Sequence, residues 1–262
     1  FKFQTTDNFR NNFEPGDFLL VVNLIDDEVT FTLVAGEHDE NLESEISDYK
    51  GIVWGKDEPQ NGGSYVKETL DAHEKYNFEA IPLTGESGYP KGEYCLGFVE
   101  TKSTNKETRN QLRIEKIYDC EGMNEETSVD DVLVVYCALY PDAIEKETYV
   151  VGWYKHATVY RNCKVMRFLS DTEEEYYDQA YNAIAKKEDC VLLPRGARRK
   201  ANTWKVPRKS KGVAYGFGQS NVWYAQGREQ HNLLDQFLNR IVSQIENYDG
   251  ENWIDKYAEG ME

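Results

Sequence analysis

Short apolar runs alternate with polar connections along the chain, which is the pattern of a strand-rich protein. FLLVVNLI (residues 18–25) and VTFTLVAG (29–36) flank the acidic DDE, and we predict that they form a β-hairpin. We predict further strands at EYCLGFVE (93–100) and QLRIEKI (111–117). DDVLVVYCALY (130–140) is apolar almost throughout, which indicates a strand buried on both faces.

Another strand-like stretch, YVVGWYKHATVYRNC (149–163), carries two large aromatic side chains beside a glycine. Aromatic and β-branched residues suit a pleated, half-buried surface, so an ordinary core strand is one interpretation. Because side chains alternate along a strand, Trp153 and Tyr154 are expected on opposite faces. Gly152 marks a place where a ligand or another backbone approaches closely. We therefore predict that Trp153 faces a ligand and that Tyr154 belongs to the core or the opposite face.

The second half of the chain is predicted to contain helices as well. In SDTEEEYYDQAYNAIAKK (170–187), Ser170 and Glu173 form a capping-box pattern, and apolar residues then recur at helical spacing. CVLLP (190–194) is a short predicted strand, and GIVWGKDEPQNGGSYV (51–66) is a predicted loop. The last predicted element is an amphipathic helix with one apolar face, formed by Leu233, Leu234, Phe237, Leu238, Ile241, Val242 and Ile245.

Strands with interspersed helices, rather than alternating βαβ units, place the chain in the α+β class. We predict an N-terminal β-rich extension (residues 1–49), a central domain (50–228) and a C-terminal helical segment (229–262). The chain of 262 residues is long enough for one large domain or two smaller ones. No apolar run approaches the roughly 18 residues that a membrane span needs, so we expect no membrane partner.

Cysteine usage bears on the cellular compartment. The five cysteines are scattered, without a C-x-x-C pair and without a histidine at metal-binding spacing. We therefore predict free thiols in a reducing cytosol and a cytoplasmic location. The first residue is Phe1 rather than Met, so the sequence leaves open a targeting signal and whether the chain is a fragment of a longer protein.

The charge distribution singles out one segment. The formal net charge of −17 opposes non-specific nucleic-acid binding, which depends on neutralising phosphates. Residues 195–211, the basic segment, nevertheless contain eight basic residues, whereas all 47 acids of the chain lie outside it. We predict that the basic segment contacts phosphates, and the alternative is a disordered loop that only confers solubility. Its cations are Arg195, Arg198, Arg199, Lys200, Lys205, Arg208, Lys209 and Lys211.

The sequence offers no recognisable catalytic motif. The four histidines are far apart, and no H-E-x-x-H, nucleophile elbow or HNH metal-nuclease motif is present. The glycine-rich KGVAYGFGQSNVWYA (211–225) lacks the Lys-Ser/Thr ending of a phosphate-binding loop, so turn glycines are its ordinary explanation. We predict no cofactor, no metal and no catalytic residue, but an active site assembled only in three dimensions stays open.

Aromatic side chains accompany the basic segment, because Trp204 lies within it and Trp223 follows it closely. Proteins that extrude a base from its stack hold it between aromatic side chains and read its polar edge by hydrogen bonds. We predict such a pocket, with Trp223 near Trp153 and with Gln219 and Asn221 as readers of a base edge. The alternative is that all of these rings are core. The predicted pocket residues are Trp153, Tyr154, Trp204, Gln219, Asn221 and Trp223.

Residues 52–225, about two thirds of the chain, carry a series of motifs in an order that resembles a known family. The most specific are GWYK-ATVYR (152–161) and GQSNVWYA (218–225), and the others are GGSYV, NF, LGFVE, QLRIEKI, DVLVVYCA and LLP. They resemble the sensing region found upstream of HNH nuclease domains in bacterial restriction-like endonucleases. The strand pattern of that region is similar to the PUA-like superfamily, which includes the EVE, YTH and SRA domains.

The resemblance implies a compact PUA-like mixed β-barrel with flanking helices. It also implies recognition of a modified base that is flipped into an aromatic-lined pocket. No HNH domain is present in these residues, so the resemblance implies no cleavage activity for them. The first fifty residues have no counterpart in the family, which leaves open whether they are a lineage-specific extension or the end of another domain.

The sequence thus predicts a nucleic-acid-binding sensor of a modified base, with DNA favoured over RNA, in a bacterial restriction or defence context. The strong acidity would act against unmodified duplex DNA through like-charge repulsion. Two alternatives stay open, a nuclease with an unrecognised catalytic site and a protein-interaction module. Also open are a homo-oligomer and an association with a nuclease domain or a partner chain.

Overall fold

The chain divides into two compact units, Phe1–Glu45 and Ile46–Glu262. A computed structural model describes residues 18–25, 28–34, 51–56, 76–99, 101, 111–140, 147–169, 176–209, 213–218 and 220–254. The predicted domain boundaries at residues 49 and 228 stay predictions.

The first unit contains a β-hairpin. Its strand β1 (Phe18–Ile25) pairs antiparallel with β2 (Glu28–Val34), and the register shifts between Val21 and Asn23. The hairpin predicted from the two apolar runs is therefore confirmed.

The second unit is built on a mixed β-sheet with the strand order β11-β3-β6-β7-β8-β5-β4, in which β9 and β10 also pair with β7. The strands are β3 (Gly51–Lys56), β4 (Ala80–Leu83), β5 (Gly92–Gly97), β6 (Ser128–Tyr140), β7 (Glu147–Leu169), β8 (Tyr176–Lys186), β9 (Cys190–Leu192), β10 (Lys205–Val206) and β11 (Val222–Trp223). The pairs are antiparallel except β3 with β6, which is parallel. Together with the helices, this strand-rich architecture is α+β, as predicted.

Strands β6 and β7 form the centre of the sheet because their apolar residues are buried on both faces. Residues 132–137 of β6 and 148–154 of β7 are all buried. Alternate residues of β6 enter two different hydrophobic clusters, one on each face of the sheet. The prediction that residues 130–140 form a strand buried on both faces is confirmed. The strand predicted at 149–163 is also confirmed and lies within the longer β7.

Among the described residues, two α-helices follow the central strands, a single turn α1 (Arg195–Arg198) and the longer α2 (Asn232–Glu246). One face of α2 packs in the same cluster as Leu133 and Val135 of β6, and its buried residues are Leu234, Phe237, Leu238, Ile241, Val242 and Ile245. The predicted amphipathic helix is confirmed, although Leu233 is 65% exposed. In the part of the chain that the structure describes, no helix has the length and apolar character needed to cross a membrane.

The helix predicted for residues 170–187 is wrong, because residues 176–186 form strand β8. This strand lies between β5 and β7, and residues 179–185 are all buried. A strand buried on both faces shows no two-residue alternation, so its apolar positions matched a helical spacing by coincidence. The matching residues are Tyr177, Ala180, Tyr181 and Ile184. The capping-box residues Ser170 and Glu173 lie outside the described residues.

Buried amide side chains hold the chain where it leaves β5. Asn182 on β8 donates to the carbonyl of Val99 (2.8 Å) and accepts from its N–H (3.2 Å). Asn77 makes the same two bonds to Phe98, at 3.0 and 2.7 Å. Because buried polar groups are costly unless they are hydrogen-bonded, these contacts explain how amides occupy the core. The strand predicted at 93–100 is confirmed up to Gly97.

The strand predicted at residues 111–117 is wrong, because this segment forms a loop with a 3₁₀ turn at Ile114–Lys116. Arg161 of β7 holds the loop with hydrogen bonds to the Glu115 carboxylate (2.7 Å) and the Met123 carbonyl (2.6 Å). Burial raises the pKa of Glu115, but the hydrogen bond and charge of Arg161 outweigh it and leave this pKa below its usual value. A tertiary contact thus overrides the local strand pattern.

The loop predicted at residues 51–66 is wrong at its start, because residues 51–56 form β3 in the sheet. The parallel pairing of β3 with β6 is a long-range contact that the local glycine content does not reveal. Residues 57–66 lie outside the described residues. The short strand predicted at 190–194 is confirmed as β9.

Candidate functional site

The aromatic pair Trp153 and Tyr154 lies in the core. Both side chains are fully buried and enter clusters on opposite faces of the sheet, as strand alternation requires. Trp153 stacks on Trp204 with ring centroids 5.3 Å apart and meets the edge of Tyr248 at 5.2 Å. This burial argues against the predicted role of Trp153, Tyr154 and Trp204 in an open pocket, because none of these rings presents its face to solvent.

Gly152 is explained by the close approach of another backbone. A Cβ at this position would collide with the carbonyl oxygen of Val191 in β9 and with the ring of Phe78. β9 pairs with β7 directly at Gly152, so only a residue without a side chain fits there. The sequence left open whether a ligand or another backbone lies close to Gly152, and in the structure it is the backbone of β9.

The basic segment is partly tied to the start of β7. Lys205 donates to the Glu147 carboxylate at 2.6 Å, and Arg208 donates to the Thr148 hydroxyl at 2.9 Å. Arg198 donates to a backbone carbonyl at 2.9 Å. The hydrogen bonds from Lys205 and from a neighbouring tyrosine hydroxyl lower the pKa of Glu147. Three of the predicted phosphate-binding residues, Lys205, Arg208 and Arg198, therefore make hydrogen bonds within the protein that hold the segment in place.

Other cations of the basic segment extend into solvent. Arg195, Lys200 and Lys209 are exposed, and within the described residues no ion pair involves their side chains. Arg199 is also exposed and lies 3.9 Å from the Glu147 carboxylate. Lys211 lies outside the described residues. The exposed cations are the part of the segment available to an anion.

A groove with a volume of about 700 Å³ lies where the basic segment meets the glycine-rich segment. We name it the Trp223 groove, and its lining includes Lys209, Tyr215, Trp223, Gln226, Gln230 and His231. The two segments are joined by hydrogen bonds from the N–H of Phe217 to the carbonyl of Pro207 (3.0 Å) and from the N–H of Lys209 to the carbonyl of Phe217 (2.9 Å). This pairing brings Lys209 to the groove.

Backbone conformations that favour glycine shape the Trp223 groove. Gly216 has φ +110°, and a Cβ there would collide with the backbone carbonyl of Pro207. Gly227 has φ +91°, and Ala225 has φ +50° although it carries a side chain. Left-handed backbone costs roughly 1–2 kcal/mol for a residue with a Cβ, so the surrounding contacts must hold Ala225 in place.

The Trp223 ring is anchored on one side and half-buried. Its neighbours are the rings of Phe217 (5.8 Å between centroids) and Phe237 of α2 (6.2 Å), and its backbone pairs with β3. Tyr224 accepts a hydrogen bond from the N–H of Arg113 at 2.8 Å, and burial raises the pKa of its hydroxyl. The groove therefore combines a fixed aromatic ring with polar side chains.

The sequence predicted the glycine-rich segment as part of the site, but it did not predict all of the side chains that line the Trp223 groove. Asn221 is half-buried next to the groove lining, and Gln219 lies outside the described residues. The exposed amides of Gln226 and Gln230 and the exposed imidazole of His231 were not predicted as site residues. They follow the glycine-rich segment directly, but only the turn at Gly227 and the start of α2 bring them to the groove.

The described residues contain no cluster of three or more His, Cys, Asp or Glu side chains that could hold a metal ion. None of the five cysteines, all within the described part of the chain, forms a disulfide. An exposed pair is present at two bulged positions, where His156 Nδ1 lies 2.7 Å from the Asp131 carboxylate and both residues have positive φ.

Comparison with known proteins finds no match to the chain among family models, curated proteins or solved structures. The groove is therefore interpreted from its own geometry and chemistry.

The glycines of the groove provide a matched test of its construction. We expect Gly216→Ala to lower the free energy of unfolding by at least about 2 kcal/mol, because alanine is disfavoured at this φ and collides with the Pro207 carbonyl. Gly218→Ala should stay within about 1 kcal/mol of the wild type, because a Cβ at Gly218 meets no atom within 4 Å. Urea unfolding measures both, and equal stabilities of the two variants would contradict the described path of this segment.

Proposed function

We propose that this chain is a nucleic-acid-binding sensor that accepts a single base in the Trp223 groove. The observation that carries the proposal is the meeting of Lys209, from the basic segment, and the Trp223 ring in one groove. Aromatic rings bind bases by stacking, which contributes roughly 1–3 kcal/mol per base. Lysine and arginine side chains nearby bind the phosphates on either side of the base.

The polar lining supports the binding of a base rather than of an aliphatic ligand. The amides of Gln226 and Gln230 each offer a donor and an acceptor, which match the polar edge of a base. The exposed imidazole of His231 adds a further donor or acceptor. In this proposal Trp223 takes the stacking role that the sequence pattern assigned to Trp153, and Asn221 borders the site. A role for Gln219 in reading a base edge stays a prediction.

The charge distribution supports a selective reader. The net charge of −17 repels the phosphates of duplex DNA, so binding must come from local contacts. The exposed side chains of Arg195, Lys200 and Lys209 supply such contacts on one segment. Repulsion from the rest of the surface weakens the binding of nucleic acid that offers no base to the groove.

The finer parts of the proposal rest on the resemblance of residues 52–225 to PUA-like sensing regions. They are a PUA-like core, recognition of a modified base, preference for DNA, a bacterial restriction or defence context and a cytoplasmic location. The mixed sheet around a long, bulged β7 is compatible with such a core. The thiols of Cys95 and Cys190 are buried and form no disulfide, which is compatible with a reducing compartment.

Substitutions in the groove test the stacking role. We expect Trp223→Leu to weaken binding of oligonucleotides with a single unpaired or modified base by about 1–3 kcal/mol, because leucine offers no aromatic face. Gln230→Ala should weaken it less, by roughly 1 kcal/mol, since one hydrogen bond is removed. Fluorescence anisotropy at fixed salt measures these affinities, and Gln111→Ala, an exposed glutamine elsewhere, is the control. Wild-type affinity in a folded Trp223→Leu variant would contradict the proposal.

The basic segment is tested by removing its exposed cations. The triple variant Arg195→Ala, Lys200→Ala, Lys209→Ala should bind all oligonucleotides more weakly. Its affinity should also depend less steeply on salt, by about 0.7–0.9 in the logarithmic slope for each phosphate that the variant no longer neutralises. The matched control removes three lysines, Lys91, Lys186 and Lys187, that line a different cavity. Equal weakening in both triple variants would mean that net charge, not the basic segment, controls binding.

A further inference from the structure

A turn in the basic segment brings two of its cations to one carboxylate. Between Arg199 and Lys205, the residues Ala201 and Asn202 have left-handed backbone, with φ of 51° and 57°. This conformation is costly for a residue with a Cβ, so other contacts must hold the turn. As a result of the turn, Lys205 Nζ lies 2.6 Å from the carboxylate of Glu147, and Arg199 Nη2 lies 3.9 Å from it.

A tyrosine hydroxyl completes this cluster. Tyr149 donates to the Glu147 carboxylate at 2.9 Å and receives a hydrogen bond from Arg199. Its hydroxyl also lies 2.9 Å from the side-chain oxygen of Asn202, which belongs to the turn. The hydrogen bonds from Lys205 and Tyr149 lower the pKa of Glu147, so this carboxylate is ionised at neutral pH. An ammonium group, a guanidinium group and a hydroxyl thus converge on one anion, and these donors are equally suited to a phosphate group.

The turn has anchors that do not involve Glu147. The N–H of Val150 donates to the carbonyl of Trp204 at 2.9 Å, and the Trp204 ring is buried. Arg240 of α2 donates to the carbonyl of Thr203 at 2.6 Å. Because these bonds hold the turn from two sides, its cations keep their places when another anion replaces the carboxylate.

Solvent reaches the ion pairs of the cluster. The side chains of Lys205 and Arg199 are 44% and 50% exposed. Ion pairs with exposed cations contribute little to stability, so the contact with Glu147 is readily exchanged. A nucleic-acid phosphate that takes its place also releases counterions, a driving force that a carboxylate of the same chain lacks.

We propose that Arg199, Lys205 and the Tyr149 hydroxyl form a phosphate-binding site that Glu147 occupies in the unbound protein. A phosphate displaces the carboxylate, whose negative charge opposes the exchange. The assignment of this phosphate to a nucleic acid rests on the proposed function, whereas the site itself requires no base in the Trp223 groove. Glu147 thereby weakens the binding of any phosphate to the basic segment, and a nucleic acid that also places a base in the groove has the additional contacts needed to displace it.

A neutral replacement of the carboxylate tests the site. Glu147→Gln keeps the size of the side chain and removes its charge, so it should bind a single-stranded oligonucleotide about three- to tenfold more tightly at low salt. The logarithm of its affinity should depend more steeply on the logarithm of salt concentration, by about 0.7 for one additional neutralised phosphate. Fluorescence anisotropy measures both quantities.

Asp178→Asn is the matched control for Glu147→Gln. It makes the same change in net charge and also releases a cation, Arg167, from an exposed ion pair, but it does so near the other end of β7. Its affinity for the oligonucleotide should stay within about twofold of the wild type, because salt screens a distant exposed charge.

Removing the two cations shows whether the gain in affinity arises at this site. In the background Arg199→Gln, Lys205→Gln, the further change Glu147→Gln should bring no gain, because no cation is left to release. A gain of the same size in that background would overturn the proposal, since it would reflect net charge alone. The stability of Glu147→Gln in urea should stay close to that of the wild type, because the other anchors of the turn remain. A loss of stability without a gain in affinity would make the role of Glu147 purely structural.

Inorganic pyrophosphate separates this site from the proposed function. In isothermal titration, Glu147→Gln should bind pyrophosphate more tightly than the wild type, and the difference should vanish in the background Arg199→Gln, Lys205→Gln. This result supports the site even where no oligonucleotide binds, in which case the proposed function fails. Oligonucleotide binding that requires Trp223 but is unchanged by Glu147→Gln, together with equal pyrophosphate binding by all variants, would overturn the site and leave the proposed function standing.

Discussion

The fold depends on the way in which β7 shares its backbone with its neighbours. Strands β6, β8, β9 and β10 all pair with it, and the approach of β9 is allowed only because Gly152 has no side chain. Further backbone bonds join Val150 to Trp204 (2.9 Å) and Val151 to Leu193 (2.8 Å). With both faces covered in this way, Trp153 and Tyr154 are core side chains.

Strand β7 also positions the candidate site, which does not include its aromatic side chains Trp153 and Tyr154. Glu147 and Thr148, at its start, bind Lys205 and Arg208 and so fix the path of the basic segment. The segment then runs beside Phe217, and this contact leads directly to the Trp223 groove. A cation-rich segment in a strongly acidic chain is thereby held next to an aromatic ring, which is the combination that binding of a base requires.

Sequence predicted the elements whose burial pattern is distinctive. The apolar run at 130–140 and the one-sided helix at 232–246 have patterns with a single ordinary explanation, and both are confirmed. Strand β8 was mistaken for a helix because burial on both faces removes the alternation by which a strand is recognised. The loop at 111–117 was mistaken for a strand because its conformation depends on Arg161, a residue remote in sequence.

The site was predictable only as a region. The basic segment and the glycine-rich segment were recognised from composition, and they do meet at the groove. The choice of Trp153 as the ligand-facing ring depended on Gly152, whose local sequence does not distinguish a nearby ligand from a nearby backbone. Gln230 and His231 belong to the groove through the turn at Gly227, a left-handed conformation that sequence pattern alone does not place next to Trp223.

Whether Trp223 rather than Trp153 contacts the base can be observed directly by NMR of the tryptophan indole N–H groups. The chain has five tryptophans, so the spectrum is simple, and single Trp→Phe variants assign the resonances. On titration with an oligonucleotide that carries one modified or unpaired base, we predict a large shift of the Trp223 resonance and small shifts for Trp153 and Trp204. A shift of the Trp153 resonance with Trp223 unmoved would contradict the assignment of the base to the Trp223 groove.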